Sequence, residues 1–241
     1  MKNSKIILSC LISIILATSA SAEWVSLTGD PVPLSSLQRE SLVFGDKELS
    51  EINLFGIGTG GAIAPSTDSV FVQGGLDDVT GNYGLRFLLS WNAFPGQTVN
   101  ATLGFKISVL PSSDANFIKD AELYLTGVSA NGTGGVNIGE VIWDAPSANG
   151  NIIASLSCSK FPTDGGVFLS DHGDFAPVRE IWIRSKDISI TGGTNGAAHI
   201  SEFYQFYSQV PEPATLVLLG TAGIWFFTRK KQKSLGSYKS K

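Results

Sequence analysis

Only two histidines occur in the 241 residues, His172 and His199. The first stands in Ser170-Asp171-His172-Gly173-Asp174, where one imidazole and two carboxylates could ligate a metal or partner a serine nucleophile. Either chemistry needs more than this stretch supplies. No second histidine or cysteine lies at ligand spacing and there is no Gly-x-Ser-x-Gly elbow, so the stretch reads as a polar turn and no catalytic residue, metal or cofactor is expected. Asp77 and Asp78 follow Gly74 and Gly75 but lack the calcium-loop pattern, and they read as a solvated turn. The run Phe55-Gly56-Ile57-Gly58-Thr59-Gly60-Gly61 resembles a phosphate loop, yet it leads into Pro65 and a further strand instead of opening a helix, which rejects a dinucleotide site. The sequons at Asn100 and Asn131 serve as acceptors only under eukaryotic-type glycosylation. The aromatic residues are the remaining lead. Tyr124 lies opposite the Leu123 and Leu125 face, and the closing strand carries Phe203, Tyr204, Phe206 and Tyr207, too many for one side. Such rings, with Tyr204 and Tyr207 as the candidate stacking pair, could take sugar faces. The competing reading buries both faces of that strand and is preferred on sequence alone, because exposed clusters of this size are uncommon on soluble domains.

The elements that would position these residues are strands. Ala101, Leu103, Phe105, Ile107 and Val109 alternate with Thr102, Gly104, Lys106 and Ser108, the period of a half-buried strand. The period recurs at Ala121, Leu123 and Leu125 and at Ile152, Ala154, Leu156 and Cys158, bounded by clusters of Asn, Gly, Pro and Asp. In Val136, Ile138, Val141 and Trp143 the apolar phase slips by one, which predicts a bulge near Gly139. Further strands are predicted over 41–44, 49–55, 69–73, 84–91, 178–190 and 198–207. The sum is an all-β chain folded as a single, jelly-roll-like β-sandwich. A body of about 185 residues buries close to 70% of its unfolded surface and stands without staples. That matters because Cys10 falls in the leader described next, leaving Cys158, on an apolar phase, as a buried inert thiol.

The ends carry an address. Lys2 and Lys5, an apolar run over 6–16 and the small residues Ala20-Ser21-Ala22 form a secretory signal over 1–22, cleaved between Ala22 and Glu23. Eleven apolar residues are too few to cross a hydrocarbon core of about 30 Å. At the other end come Val210-Pro211-Glu212-Pro213, an apolar run over 214–227 that is apolar on all faces, and the cations Arg229, Lys230, Lys231 and Lys233. Prolines on both sides of a carboxylate end a strand and leave the backbone extended, while the cations after the apolar run would remain cytoplasmic once the body is exported. This order, over about 210–233, closely resembles the PEP-CTERM sorting signal of bacterial exported proteins. The resemblance implies recognition of Glu212 and its flanking prolines by an exosortase, a membrane-embedded cysteine transpeptidase, followed by delivery to the cell surface or an exopolysaccharide matrix. It also implies a transient inner-membrane helix over 214–228 and a basic cytoplasmic tail over 229–241, with the sandwich occupying 23–209.

Charge narrows the function classes. All 21 acidic residues lie within 23–212, against 9 basic ones, a net of −12 that repels phosphate backbones and excludes a nucleic-acid partner. With no catalytic set in view, the expectation is a non-enzymatic surface or matrix protein that passes through the secretion machinery and an exosortase and meets an exopolysaccharide. The alternative is a glycan-binding module using sheet aromatics, and the enzyme-class alternative is a sandwich hydrolase using paired carboxylates.

Overall fold

The computed structural model describes residues 24–113, 116–146, 150–163 and 166–211. The expected signal peptide with Ala20, Ala22 and Glu23, the motif residues Glu212 and Pro213, the expected membrane helix and the cations Arg229, Lys230 and Lys231 lie outside the described residues. Among those described, no helix is long and apolar enough to cross a membrane.

Fifteen strands form two antiparallel sheets, and the only helical elements among the described residues are three short 3-10 turns. The strands are β1 (Trp24–Ser26), β2 (Val32–Pro33), β3 (Leu42–Phe44), β4 (Lys47–Thr59), β5 (Phe71–Asp77), β6 (Tyr83–Ala93), β7 (Thr98–Val109), β8 (Asn116–Asn131), β9 (Gly135–Trp143), β10 (Ile152–Phe161), β11 (Gly166–Phe168), β12 (Ser170–Val178), β13 (Glu180–Thr191), β14 (Ala197–Tyr207) and β15 (Gln209–Pro211). One sheet runs β1-β5-β6-β14-β8-β12, with β2 paired to β5 and β15 to β8; the other runs β11-β10-β9-β13-β7-β4-β3. The predicted β-sandwich is the observed architecture. Consecutive strands β6 and β7, β8 and β9, and β13 and β14 change sheets, so three short connections meet at one end. There Gly96 N–H donates to Gly193 O at 2.7 Å and Thr194 N–H to the Thr133 hydroxyl at 2.9 Å.

Alternation decides which side chains enter the core. On β7, Val99, Ala101, Leu103, Phe105, Ile107 and Val109 are buried, while Asn100, Thr102, Lys106 and Ser108 point out. Across the interface Phe105 meets Phe87 of β6 at 5.7 Å, and Phe87 stacks on Phe203 of β14 at 4.7 Å, so one aromatic column ties the sheets together. Cys158 sits in this interior. Its Sγ donates to Leu123 O at 3.4 Å, and burial, then the nearby Asp171 carboxylate, push the thiol up to about 11. Cys158 should therefore resist alkylation in the folded protein at mildly alkaline pH and react fully once unfolded. Rapid labelling of the folded protein would contradict this placement.

Two local expectations are corrected. Gly139 carries no bulge: it pairs regularly with Ser157 on one side and Asp187 on the other, and the register shifts fall at Ile153 and Arg184 on the neighbouring strands. β9 keeps its phase because Glu140, not Val141, faces inward, where it meets Lys186; Trp143 lies outside with the Arg184 guanidinium 4.7 Å from its ring centre. The stretch around His172 is not a turn. It is the first half of β12, where Ser170 to Asp174 pair residue for residue with Tyr124 to Asp120 of β8, and it reads as polar because its outward side chains face water at the edge of the sheet.

The chain leaves the sandwich along β8. Ser208 donates through its N–H and its hydroxyl to the buried Asp120 carboxylate, the former at 2.9 Å. Val210 and Pro211, the first two residues of the expected sorting signal, follow in β15, opposite Phe117 and Asn116.

Candidate functional site

The closing strand divides its aromatics. Phe203, Gln205 and Tyr207 face the interior, and Tyr207 is 0% exposed, out of reach of any ligand on the outer face. Glu202, Tyr204 and Phe206 face outward. The two candidate stacking residues thus lie on opposite sides of one sheet, and only Tyr204 belongs to a surface site.

The outward set is completed by neighbouring strands. Gly75 of β5 and Gly84 of β6 pair directly and leave a trough on the outer face. A Cβ on Gly75 would stand 2.5 Å from the Trp24 indole, and one on Gly84 would stand 2.5 Å from the Phe206 ring, so both aromatics lie where side chains are missing. The Trp24 indole N–H donates to Gln73 Oε1 at 3.1 Å, which orients the ring. Trp24 then meets Tyr204 edge-on at 5.3 Å and Phe206 at 5.9 Å. Tyr204 and Phe206 lie parallel, 6.0 Å apart and inclined by 2°, and Tyr124 of β8 stands edge-on to Phe206 at 5.8 Å.

Carboxylates frame the rings. Glu202 Oε2 accepts from Arg86 Nη2 at 2.6 Å and Nε at 3.0 Å, while Oε1 accepts from the Thr126 hydroxyl at 3.3 Å. The guanidinium also lies 5.8 Å from the Tyr204 ring centre. Asp77 Oδ1 accepts from the N–H groups of Val79 and Thr80, which closes the β5–β6 turn and fixes the carboxylate. Tyr124 donates to Glu122 at 2.9 Å; burial, then this bond, push its phenol up to about 12. Burial, reinforced by Glu202, also raises Tyr204. Both phenols therefore stay protonated at neutral pH, able to donate as well as accept. Trp24, Asp77, Tyr124, Thr126, Glu202, Tyr204 and Phe206 line an open cleft of about 250 Å³.

Beside the cleft, Glu122 and His172 face each other across the β8–β12 pair. His172 Nδ1 lies 3.6 Å from Glu122 and Nε2 lies 3.2 Å from Asp174. Asp120, His172 and Asp174 bring one ligand atom each within 4.8 Å of one another, with the Asp120 carboxylate already engaged by Ser208. His199, the other histidine, lies on the outer face of β14, its Nδ1 2.9 Å from Asn92 Oδ1. Phe55 and Ile57 are exposed on β4, and Cβ atoms on Gly56 and Gly58 would strike Pro65 and Ala62, so the glycines of that run admit a covering segment and not a phosphate.

Sequence reasoning picked out Tyr124 and Tyr204 but missed Trp24, Arg86, Glu202 and the Gly75–Gly84 trough. Trp24 belongs to a strand of three residues, too short to alternate.

Parallel aromatic faces bordered by fixed carboxylates, a hydroxyl and protonated phenols suit a ligand that is apolar on its faces and hydroxylated at its rim. No protein-family profile matches the sequence, and no curated protein matches it. Among solved structures, similarity is found to TmCBM61 in complex with β-1,4-galactotriose, at 15% identity over 64% of this chain and 88% of that one, with a TM-score of 0.28. The enzymatically active domain of bacteriophage CBA120 tailspike protein 4 matches at 16% identity over 64% of this chain and 19% of that one, with a TM-score of 0.24. The family 12 xyloglucanase of Bacillus licheniformis matches at 9% identity over 79% and 100%, with a TM-score of 0.20. At these scores the likeness assigns neither a family nor a ligand to the chain.

Proposed function

We propose that the sandwich is a non-enzymatic glycan-binding module of an exported protein, with its binding site in the cleft between Trp24, Tyr124 and Tyr204. The observation that carries this reading is the cleft itself. Pyranose rings present C–H faces to aromatic rings and hydroxyls to carboxylates, and here both kinds of partner converge on one sheet face. Asp77 and Glu202 line the cleft, and Arg86 is committed to Glu202, so the ligand is a neutral sugar polymer and not a uronic acid or sulfated chain. The leader and the PEP-CTERM-like terminus give this module its setting: export, processing by an exosortase, and residence at the cell surface or in an exopolysaccharide matrix. The test is affinity electrophoresis of residues 24–211 through gels containing neutral polysaccharides. Retardation of the wild type, lost in Tyr204→Ala with an unchanged circular dichroism spectrum, is the expected result. Free migration of the wild type through every neutral polysaccharide, with retardation only by anionic ones, would overturn the reading.

A further inference from the structure

The sandwich interior contains a polar trio that the cleft does not use. Glu140 of β9, Lys186 of β13 and Gln205 of β14 are 2%, 0% and 0% exposed. Lys186 reaches the interior because the register shift at Arg184 turns the rest of β13 by one residue. The three side chains form a closed ring of contacts. Lys186 Nζ lies 2.5 Å from Glu140 Oε2 and donates to Gln205 Oε1, while Gln205 Nε2 donates to Glu140 Oε1 at 2.8 Å. The rings of Phe203 and Phe105 close over the amine, their centres 5.1 and 6.0 Å away.

A buried ion pair explains only part of this. It would require a carboxylate beside an amine, and it is often no more stable than apolar residues of the same volume. It would not require a carboxamide whose oxygen faces the amine and whose nitrogen faces the same carboxylate. That arrangement is the one an acyl transfer needs: a nucleophile against the acyl group, and a single acid–base group touching both the nucleophile and the leaving nitrogen.

We propose that Lys186 and Gln205 join in an intramolecular isopeptide bond linking the two sheets, with Glu140 as the catalytic proton shuttle. The neutral amine of Lys186 adds to Cδ of Gln205 and its lone pair forms the new N–C bond. Glu140 takes one proton from Nζ through Oε2 and delivers one to Nε2 through Oε1, so the Cδ–Nε2 bond breaks and the nitrogen departs as ammonia. One amine and one carboxamide become one secondary amide and one ammonia. Nothing is oxidised or reduced, and Glu140 ends as it began. Burial favours the reaction because it opposes charge on Lys186 and holds its pKa below the ordinary lysine value, against the pull of Glu140 in the other direction. The same enclosure keeps water from competing for the acyl carbon.

The test is mass spectrometry of the folded protein and its digest. The wild type should be lighter than its sequence by one ammonia, and trypsin should fail to cut after Lys186. After a further cut at Glu202, the fragments holding Lys186 and Gln205 should remain joined. Glu140→Gln keeps the volume of the side chain but removes the shuttle, and it should give the full sequence mass and separate fragments. A wild-type chain of full mass that trypsin cuts after Lys186 would overturn the proposal, as would a link that forms equally in Glu140→Gln.

Discussion

Tyr207→Ala should destabilise the protein by about 3 to 5 kcal/mol, the range for deleting a large aromatic from a core, whereas Tyr204→Ala should change stability by less than about 1 kcal/mol. The two residues stand three apart on β14, but the pleat sends Tyr207 into the interior with Phe203 and Gln205 and Tyr204 onto the outer face. Removing Tyr207 leaves a void between the sheets. Removing Tyr204 opens a surface that already borders a cleft. Urea unfolding of the two variants measures the difference directly as a shift in midpoint at constant slope. Equal destabilisation by both would contradict the assignment of the strand's two faces.

Trp24→Ala should leave the fold intact and weaken binding of a neutral oligosaccharide by about tenfold or more, since a loss of about 1.4 kcal/mol is one decade in affinity. Trp24 enters the sheet through a short edge strand, so little of the core depends on it. In the cleft, by contrast, its indole meets both Tyr204 and Phe206, and its loss removes one wall together with the contact that holds Phe206 down. Isothermal titration of the variant against the wild type checks this. An unchanged affinity would place the ligand elsewhere. Gly84→Val provides a complementary case: it fills the trough under Phe206, and it should disturb the cleft while leaving the opposite sheet intact.

The fold was legible wherever one face of a strand is greasy and the other wet. β7 and the stretch of β10 from Ala154 to Cys158 could be placed from alternation because one pattern, apolar in and polar out, governs each of them; Ile152, expected on the same inward phase, is 58% exposed because the register shift at Ile153 breaks that phase. The reading failed at Glu140 because it assumes that apolar residues define the inner phase. On β9 a charged residue points inward and Trp143 points outward, an inversion that becomes intelligible only once Lys186 and Gln205 are seen to approach from other strands. β12 escaped for a related reason: an edge strand with solvated side chains has the composition of a turn. The site was half legible. Tyr124 and Tyr204 stood out as aromatics on exposed phases, but the cleft also depends on two glycines that pair across β5 and β6 and on a tryptophan brought in by β1. Strand pairing of this kind is a tertiary fact, and neither residue type nor spacing reports it.

The indole N–H resonances provide the most direct test of the central claim that the ligand lies on the face carrying Trp24. The described residues hold Trp24 in the cleft, Trp91 in the core, and Trp143 and Trp182 paired on the outer face of the other sheet. In a nitrogen–proton correlation spectrum titrated with a neutral oligosaccharide, the Trp24 indole signal should shift progressively to saturation while those of Trp143 and Trp182 stay in place. Shifts at Trp143 and Trp182 with Trp24 unmoved would contradict the account and put the binding face on the opposite sheet.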